Sequence, residues 1–184
     1  RNIAIGYRAA YEQTTGYHNT FVGYQACYNV TTGKYNTAIG YKAGDAHSTG
    51  DYCITIGYNA DPSSNGVSGE CTLGDSNISN LRCNDTSISS LSDRRDKTDI
   101  IDLPVGLDFL NTLQPRQFKW QTRDGNIKDG KIRAGFIAQE LQEAQKDCDF
   151  LDLVMDNNPD KLEAKQEHLI PVLVQAVKEL SEKN

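Results

Sequence analysis

The residue types that could do chemistry on their own chain gather in one short run, Ser92-Asp93-Arg94-Arg95-Asp96-Lys97-Thr98-Asp99-Ile100. A serine hydroxyl is a weak nucleophile and needs a neighbouring base. A lysine amine serves as that base when burial and nearby cations disfavour its charged form. Arg94 and Arg95 are the candidate cations, and Asp93, Asp96 and Asp99 act in the opposite sense. On a continuous helix, positions i and i+5 point about 140° apart, and on a strand they face opposite sides. Ser92 and Lys97 therefore meet only if the segment bends, or if the lysine comes from another copy of the chain. A serine and a lysine at this spacing are common, and the pair alone specifies nothing.

Other reactive residue types are scattered. Cys27, Cys53, Cys71, Cys83 and Cys148 are odd in number and form no CxxC pair. They read as free, buried thiols in a reducing compartment rather than as a disulfide or zinc framework. His18, His47 and His168 lie far apart in sequence and read as structural. The acidic stretches at 147–152 and 156–160 lack the ligand spacing and closing glutamate of a calcium loop, so no metal or cofactor is expected. N-x-S/T triplets begin at Asn29, Asn77 and Asn84, but without evidence of secretion they carry no weight.

The elements that hold this run fall into two unlike halves. Up to Leu91 there are five cationic and seven acidic side chains; from Ser92 onward there are fourteen and eighteen. Both halves are mildly acidic, which excludes a concentrated basic face for nucleic acid. No run approaches the length of a membrane span. Arg1 begins in mid-pattern, so the chain is expected to be part of a longer protein.

The first half is a repeat. Glycines stand at 6, 23, 40, 57 and 74, a period of 17. Tyr7, Tyr24, Tyr41 and Tyr58 follow them, then Ala9, Ala26, Ala43 and Ala60, and Ile5, Val22, Ile39, Ile56 and Leu73 precede them. Each unit reads as a short strand, a glycine-permitted turn, a second short strand and another turn. Stacking would place the Ile/Val/Leu rung of each coil over the next at about 4.8 Å, burying it. The fifth copy has Asp75 where the tyrosine stood, as expected of a worn terminal repeat. The words Asn19-Thr-Phe-Val-Gly-Tyr-Gln-Ala26 and Asn36-Thr-Ala-Ile-Gly-Tyr-Lys-Ala43 resemble the head repeats of trimeric adhesins and some phage tail fibres. That resemblance, over residues 2–61, implies a β-roll or β-helix packed as a trimer. It also implies a surface for binding or structure, with a cell-surface receptor or glycan as possible partner. The tyrosine row reads as a structural ladder in preference to a ligand platform.

Residues 76–91 are rich in Ser and Asn and read as a junction. Beyond it the pattern predicts α+β structure: a short helix over 104–113, strands over 117–121 and 131–137 with turns at 123–126 and 128–130, and a helix over 138–146. Leu169, Leu173, Ala176 and Leu180 fall at a/d spacing in a final helix over 166–183, widened by Val172 and Val177. That helix is too short to stand alone in water and must pack on its own domain or on symmetry mates.

The run Ser92-Asp-x-Arg-x-Lys97, followed by an Ile, a helix, a strand pair and Gly135-Phe136-Ile-Ala-Gln139-Glu140, resembles the S74 peptidase family from about 92 to 180. These are the C-terminal intramolecular chaperones of endosialidases, phage tail fibres and neck appendages. The resemblance implies Ser92 as nucleophile and Lys97 as base, with Asp93, Arg94 and Arg95 as possible support. Asp96 departs from the apolar or small residue expected there. The cut is placed between Leu91 and Ser92, because attack on the preceding carbonyl closes a five-membered ring. Attack at Ser92–Asp93 would need a four-membered one and is the second choice.

The expected architecture is a β-roll or β-helix over 1–75, a junction over 76–91 and an S74-type domain over 92–184, assembled as a parallel homotrimer. The expected function is that of the C-terminal part of a viral tail fibre or spike-like protein. Its last domain would drive trimerisation and folding of the upstream β-helix, then cut itself off once, as a self-cleaving serine endopeptidase without free substrate. The expected location is the virion, with the chaperone released in the host cytoplasm. The alternative is a fibre tip in which this domain is a permanent clamp and never cuts.

Overall fold

The computed structural model describes residues 1–85, 87–123 and 127–183. Its contacts divide the chain into two units. The first holds Arg1–Ser79 with Gln121–Lys128 and Asn157–Lys161; the second holds Asn80–Trp120, Asp129–Asp156 and Leu162–Asn184.

The first unit is a β-solenoid. Five three-residue strands, β1 (Ile3–Ile5), β2 (Thr20–Val22), β3 (Thr37–Ile39), β4 (Ile54–Ile56) and β5 (Cys71–Leu73), form one parallel sheet in sequential order. Every pairing is offset by the 17-residue period: Ile3 with Thr20, Thr20 with Thr37, Thr37 with Ile54, Ile54 with Cys71. The worn fifth copy keeps its strand. Each coil contributes one strand, not the expected two, and turns make up the rest of it.

The expected burial of the Ile/Val/Leu rung is also corrected. Side chains alternate along a strand, and the middle residue points inward: Phe21 and Ala38 are fully buried and Thr55 nearly so. Ile5, Ile39, Ile56 and Leu73 line the outside instead, with Ile39 and Ile56 each 41% exposed. The coil is narrow, and small groups, Ala26, Cys27, Ala38 and Ala43, cluster with Phe21 and Val30 inside it.

Hydrogen bonds between coils replace a large apolar core. Asn19 and Asn36, both buried, form a ladder. The Asn19 side chain donates to Gly33 O (2.7 Å) and accepts from the Asn36 amide (2.8 Å). Asn36 repeats this with Gly50 O and the Cys53 amide, each at 2.8 Å. The glycine column is required by close approach. Gly23 has φ +142°, and a Cβ there would lie 2.1 Å from Gly40 O. Non-glycine residues also adopt left-handed backbone in register: Arg8, Gln25, Lys42 and Asn59 in one column, Ala10 and Cys27 in a second, His18, Tyr35 and Tyr52 in a third. Tyr7, Tyr24, Tyr41 and Tyr58 stack at 5.1–5.3 Å between ring centroids, each ring covering its neighbour's face.

The thiols are free, but not all are buried: Cys27 and Cys53 are, whereas Cys71 and Cys83 are exposed and Cys148 is half-buried. His47 donates through Nε2 to Gly50 O (2.8 Å), and His18 stacks on Tyr35.

The second unit packs short elements around a small apolar core. Helix α1 (Leu107–Leu110) lies against α3 (Leu169–Glu182), whose Glu179 carboxylate accepts the Leu107 amide at 2.9 Å. Strands β6 (Arg116–Lys119) and β7 (Ile132–Gly135) pair antiparallel. Helix α2 (Ala138–Ala144) leads to the short antiparallel pair β8 (Val154–Met155) and β9 (Glu163–Ala164). Phe109, Leu113, Leu141, Leu151, Leu153, Val154, Leu169 and Val172 form the core. The turn expected at 123–126 falls largely outside the described residues. In the turn at 128–130, Asp129 accepts the Lys131 amide at 3.0 Å and pairs with Arg133 at 2.7 Å. The acidic stretches make ordinary surface contacts, such as Asp152 with Lys165 at 2.6 Å. No described residue of the junction over 76–91 lies in a helix or strand.

Candidate cleavage site

The segment from Ser92 bends. Asp93 has extended backbone (φ −69°, ψ 137°), Arg94–Asp96 form a single 3₁₀ turn, and Lys97 returns to extended backbone. The turn is closed by the Asp96 amide on Asp93 O (3.1 Å) and the Lys97 amide on Arg94 O (3.3 Å). This reversal within one chain places Lys97 Nζ 2.6 Å from Ser92 Oγ. In that contact the lysine donates; an uncharged amine in the same place would accept the hydroxyl proton, as a general base must. A hydroxyl and an amine at this distance can carry out base-assisted attack on a neighbouring carbonyl.

Asp93 and Arg95 were read from sequence as charges acting on the lysine. The structure gives them to each other. Asp93 Oδ1 accepts the Arg95 amide (2.9 Å) and Nε (3.0 Å), and Oδ2 accepts Nη2 (2.6 Å). The Arg95 guanidinium, and after it the Arg95 amide, hold the Asp93 carboxyl below the usual carboxylate range. An Asp at the head of a turn is a capping signal, which is the role Asp93 takes here. Arg94 and Asp96 lie in the turn and are exposed, as are Ser92 and Lys97. Apolar side chains on either side are exposed too, Leu91 at 82% and Ile101 at 81%.

Residues 92–150 match the family model of Peptidase S74, the chaperone of endosialidase. This segment is an S74-type chaperone domain. The match begins at the serine whose hydroxyl meets Lys97. A chaperone-type role, acting on the upstream part of the chain, follows for it, within a family of self-cleaving chaperones. No curated protein and no solved structure matches the chain.

The family-like motif of the S74 domain has structural partners. Gly135 pairs with Arg116 across β6 and β7, and Phe136 packs on the core. Glu140 grips the Arg116 guanidinium (2.7 Å to Nη2), tying α2 to β6, while Gln139 is exposed. Arg116 in turn holds the Glu140 carboxyl below its ordinary range.

The match ends before α3, which starts at Leu169 after a 3₁₀ turn over Gln166–His168. The four residues expected as one stripe differ in burial. Leu169 and Ala176, with Val172, are buried in their own unit, whereas Leu173 and Leu180 are exposed. Ile170, Leu173, Val174 and Val177 form an outer apolar stripe. His168 donates through Nδ1 to Leu151 O (3.0 Å). No helix among the described residues is long and apolar enough to cross a membrane.

Proposed function

We propose that the protein is the C-terminal part of a trimeric viral tail fibre or spike. In this reading, residues 92–184 bring three chains together, promote folding of the upstream solenoid, and then release themselves by one cut between Leu91 and Ser92. The observation that carries the cut is the 2.6 Å contact between Lys97 Nζ and Ser92 Oγ at the first residue of the chaperone match. Lys97 takes the hydroxyl proton as Ser92 Oγ attacks the Leu91 carbonyl. The peptide nitrogen gains a proton and leaves, so the acyl group passes to the serine oxygen as an ester. Water then hydrolyses that ester, leaving a Leu91 carboxylate and a new N-terminal Ser92.

The trimer reading draws on two apolar surfaces. One is the outward column of Ile5, Ile39, Ile56 and Leu73 on the solenoid; the other is the outer stripe Ile170, Leu173, Val174 and Val177 of α3. Aligned apolar rows of this kind are unusual on a monomer and suit a symmetric partner. The virion is the proposed location, the host cytoplasm the place of release, and a receptor or glycan the proposed partner of the fibre.

The exposure of both Ser92 and Lys97 favours the rival reading, a permanent clamp that does not cut. Intact mass of freshly expressed chain separates the two. Cleavage should yield pieces ending at Leu91 and beginning at Ser92. Ser92→Ala and Lys97→Ala should each lower the rate by at least about 10³-fold, since nucleophile and base act as a unit, and both variants should remain trimeric. Release should slow as pH falls, because a protonated lysine cannot accept the serine proton. A monomer in light scattering at micromolar concentration removes the trimer, and continued release from Ser92→Ala removes the mechanism.

A further inference from the structure

Resting on the self-cleavage reading, we infer that Asp93 is the positioning residue of the reaction, acting through its cap on the 3₁₀ turn and not through its charge. Ser92 and Lys97 can meet only because Arg94–Asp96 reverse the chain, and none of the three residues in that turn is buried. No apolar packing holds the turn, so hydrogen bonds must. Asp93 supplies most of them: its carbonyl accepts the Asp96 amide, and its carboxylate accepts both the Arg95 amide and the Arg95 guanidinium. It also adjoins the nucleophile, so fixing Asp93 fixes the backbone from which Ser92 projects.

The two contacts of the carboxylate are unequal. The Arg95 side chain is 87% exposed, and ion pairs in water contribute little. The bond to the Arg95 amide is an N-cap, which aspartate and asparagine make equally well. Glutamate keeps the charge but is not among the residues that cap well. The inference therefore separates cap from charge. If the carboxylate acted by its field on Lys97, with Arg94, Asp96 and Asp99 as the other charges on this segment, Glu would substitute for it and Asn would not. If it acts as a cap, the order is reversed.

The test is the rate of release per assembled full-length chain, followed by intact mass across pH, for wild type, Asp93→Asn, Asp93→Glu, Asp93→Ala and Arg95→Ala. Asp93→Asn should stay within about threefold of wild type. Asp93→Glu and Asp93→Ala should fall about tenfold, the effect of losing an N-cap, with the pH midpoint unchanged. Arg95→Ala should lose about twofold, as expected for an exposed ion pair. Because rates are counted per assembled chain, a variant that merely folds poorly lowers yield and not rate; should Asp93→Ala fail to assemble, the Asn and Glu variants still decide. Wild-type rates in Asp93→Ala and Asp93→Glu overturn the positioning role alone. So does a slow Asp93→Asn with a shifted midpoint beside a fast Asp93→Glu. A wild-type chain that never cuts overturns the cleavage reading and this role together.

Discussion

In the solenoid, most buried side chains are small or polar, and the structure is carried by bonds between residues 17 apart: the asparagine ladder, the glycine column and the stacked tyrosines. In the second unit, the buried residues are Leu, Phe and Val from unrelated stretches, and no contact repeats. The first region is specified by backbone fit and the second by side-chain volume. The two should therefore fail under opposite substitutions, one by adding atoms and the other by removing them.

The strongest way to break the comparison is to separate the halves. Residues 1–91 expressed alone should be insoluble or unassembled, since short coils with open edges must otherwise nucleate unaided. A soluble trimer from that fragment would show that the solenoid needs no chaperone. Next, Gly23→Ala adds one methyl group where the next coil's backbone already sits, at a φ that side chains rarely adopt. It should destabilise the solenoid by about 3 kcal/mol or more, read by denaturant unfolding. Leu153→Ala removes volume from the fully buried centre of the second unit and should cost about 2–5 kcal/mol there. If either variant were neutral, the division between backbone and volume would not hold.

The smallest effect concerns the thiols. Burial, followed by the nearby Asp61 and Asp45 carboxylates, pushes the Cys27 thiol far above its usual range, and burial likewise raises Cys53. Thiolate is the reactive form, so at neutral pH a maleimide should label Cys71 and Cys83 first, with Cys27 and Cys53 protected until the solenoid opens. Prompt labelling of all five would show a loose coil interior.

The period of 17 made the stacking and register of the first half readable, because a strict repeat leaves one way to stack. It did not reveal which side of a three-residue strand faces in. Ile39 is more apolar than Ala38, yet Ala38 is the one buried; position along the strand decides, since Phe21 occupies the same inward place one coil earlier. In the second half, the elements were legible from turn residues and helical spacing, but the split of the α3 stripe was not, since Leu169 and Leu173 lie about 40° apart on the helix and only packing decides that the first is buried and the second exposed. The spacing of Ser92 and Lys97 required a bend and left open how it arises; a single hydrogen-bonded turn supplies it, without any periodic signal.

The columns of left-handed residues set a timescale. Arg8, Ala10 and His18 open the three columns; the second coil repeats all three, the third keeps Lys42 and Tyr52, and the fourth keeps Asn59. A side chain in this conformation costs about 1–2 kcal/mol. Three such residues, as in each of the first two coils, make a lone coil rarer by about two orders of magnitude or more. A coil added to an existing one recovers that cost at once through the bonds to its neighbour; the first coil has no neighbour. Growth is downhill and initiation is uphill, as in crystallisation, so the repeats should fold with a lag that shortens sharply when a finished coil is supplied as a seed.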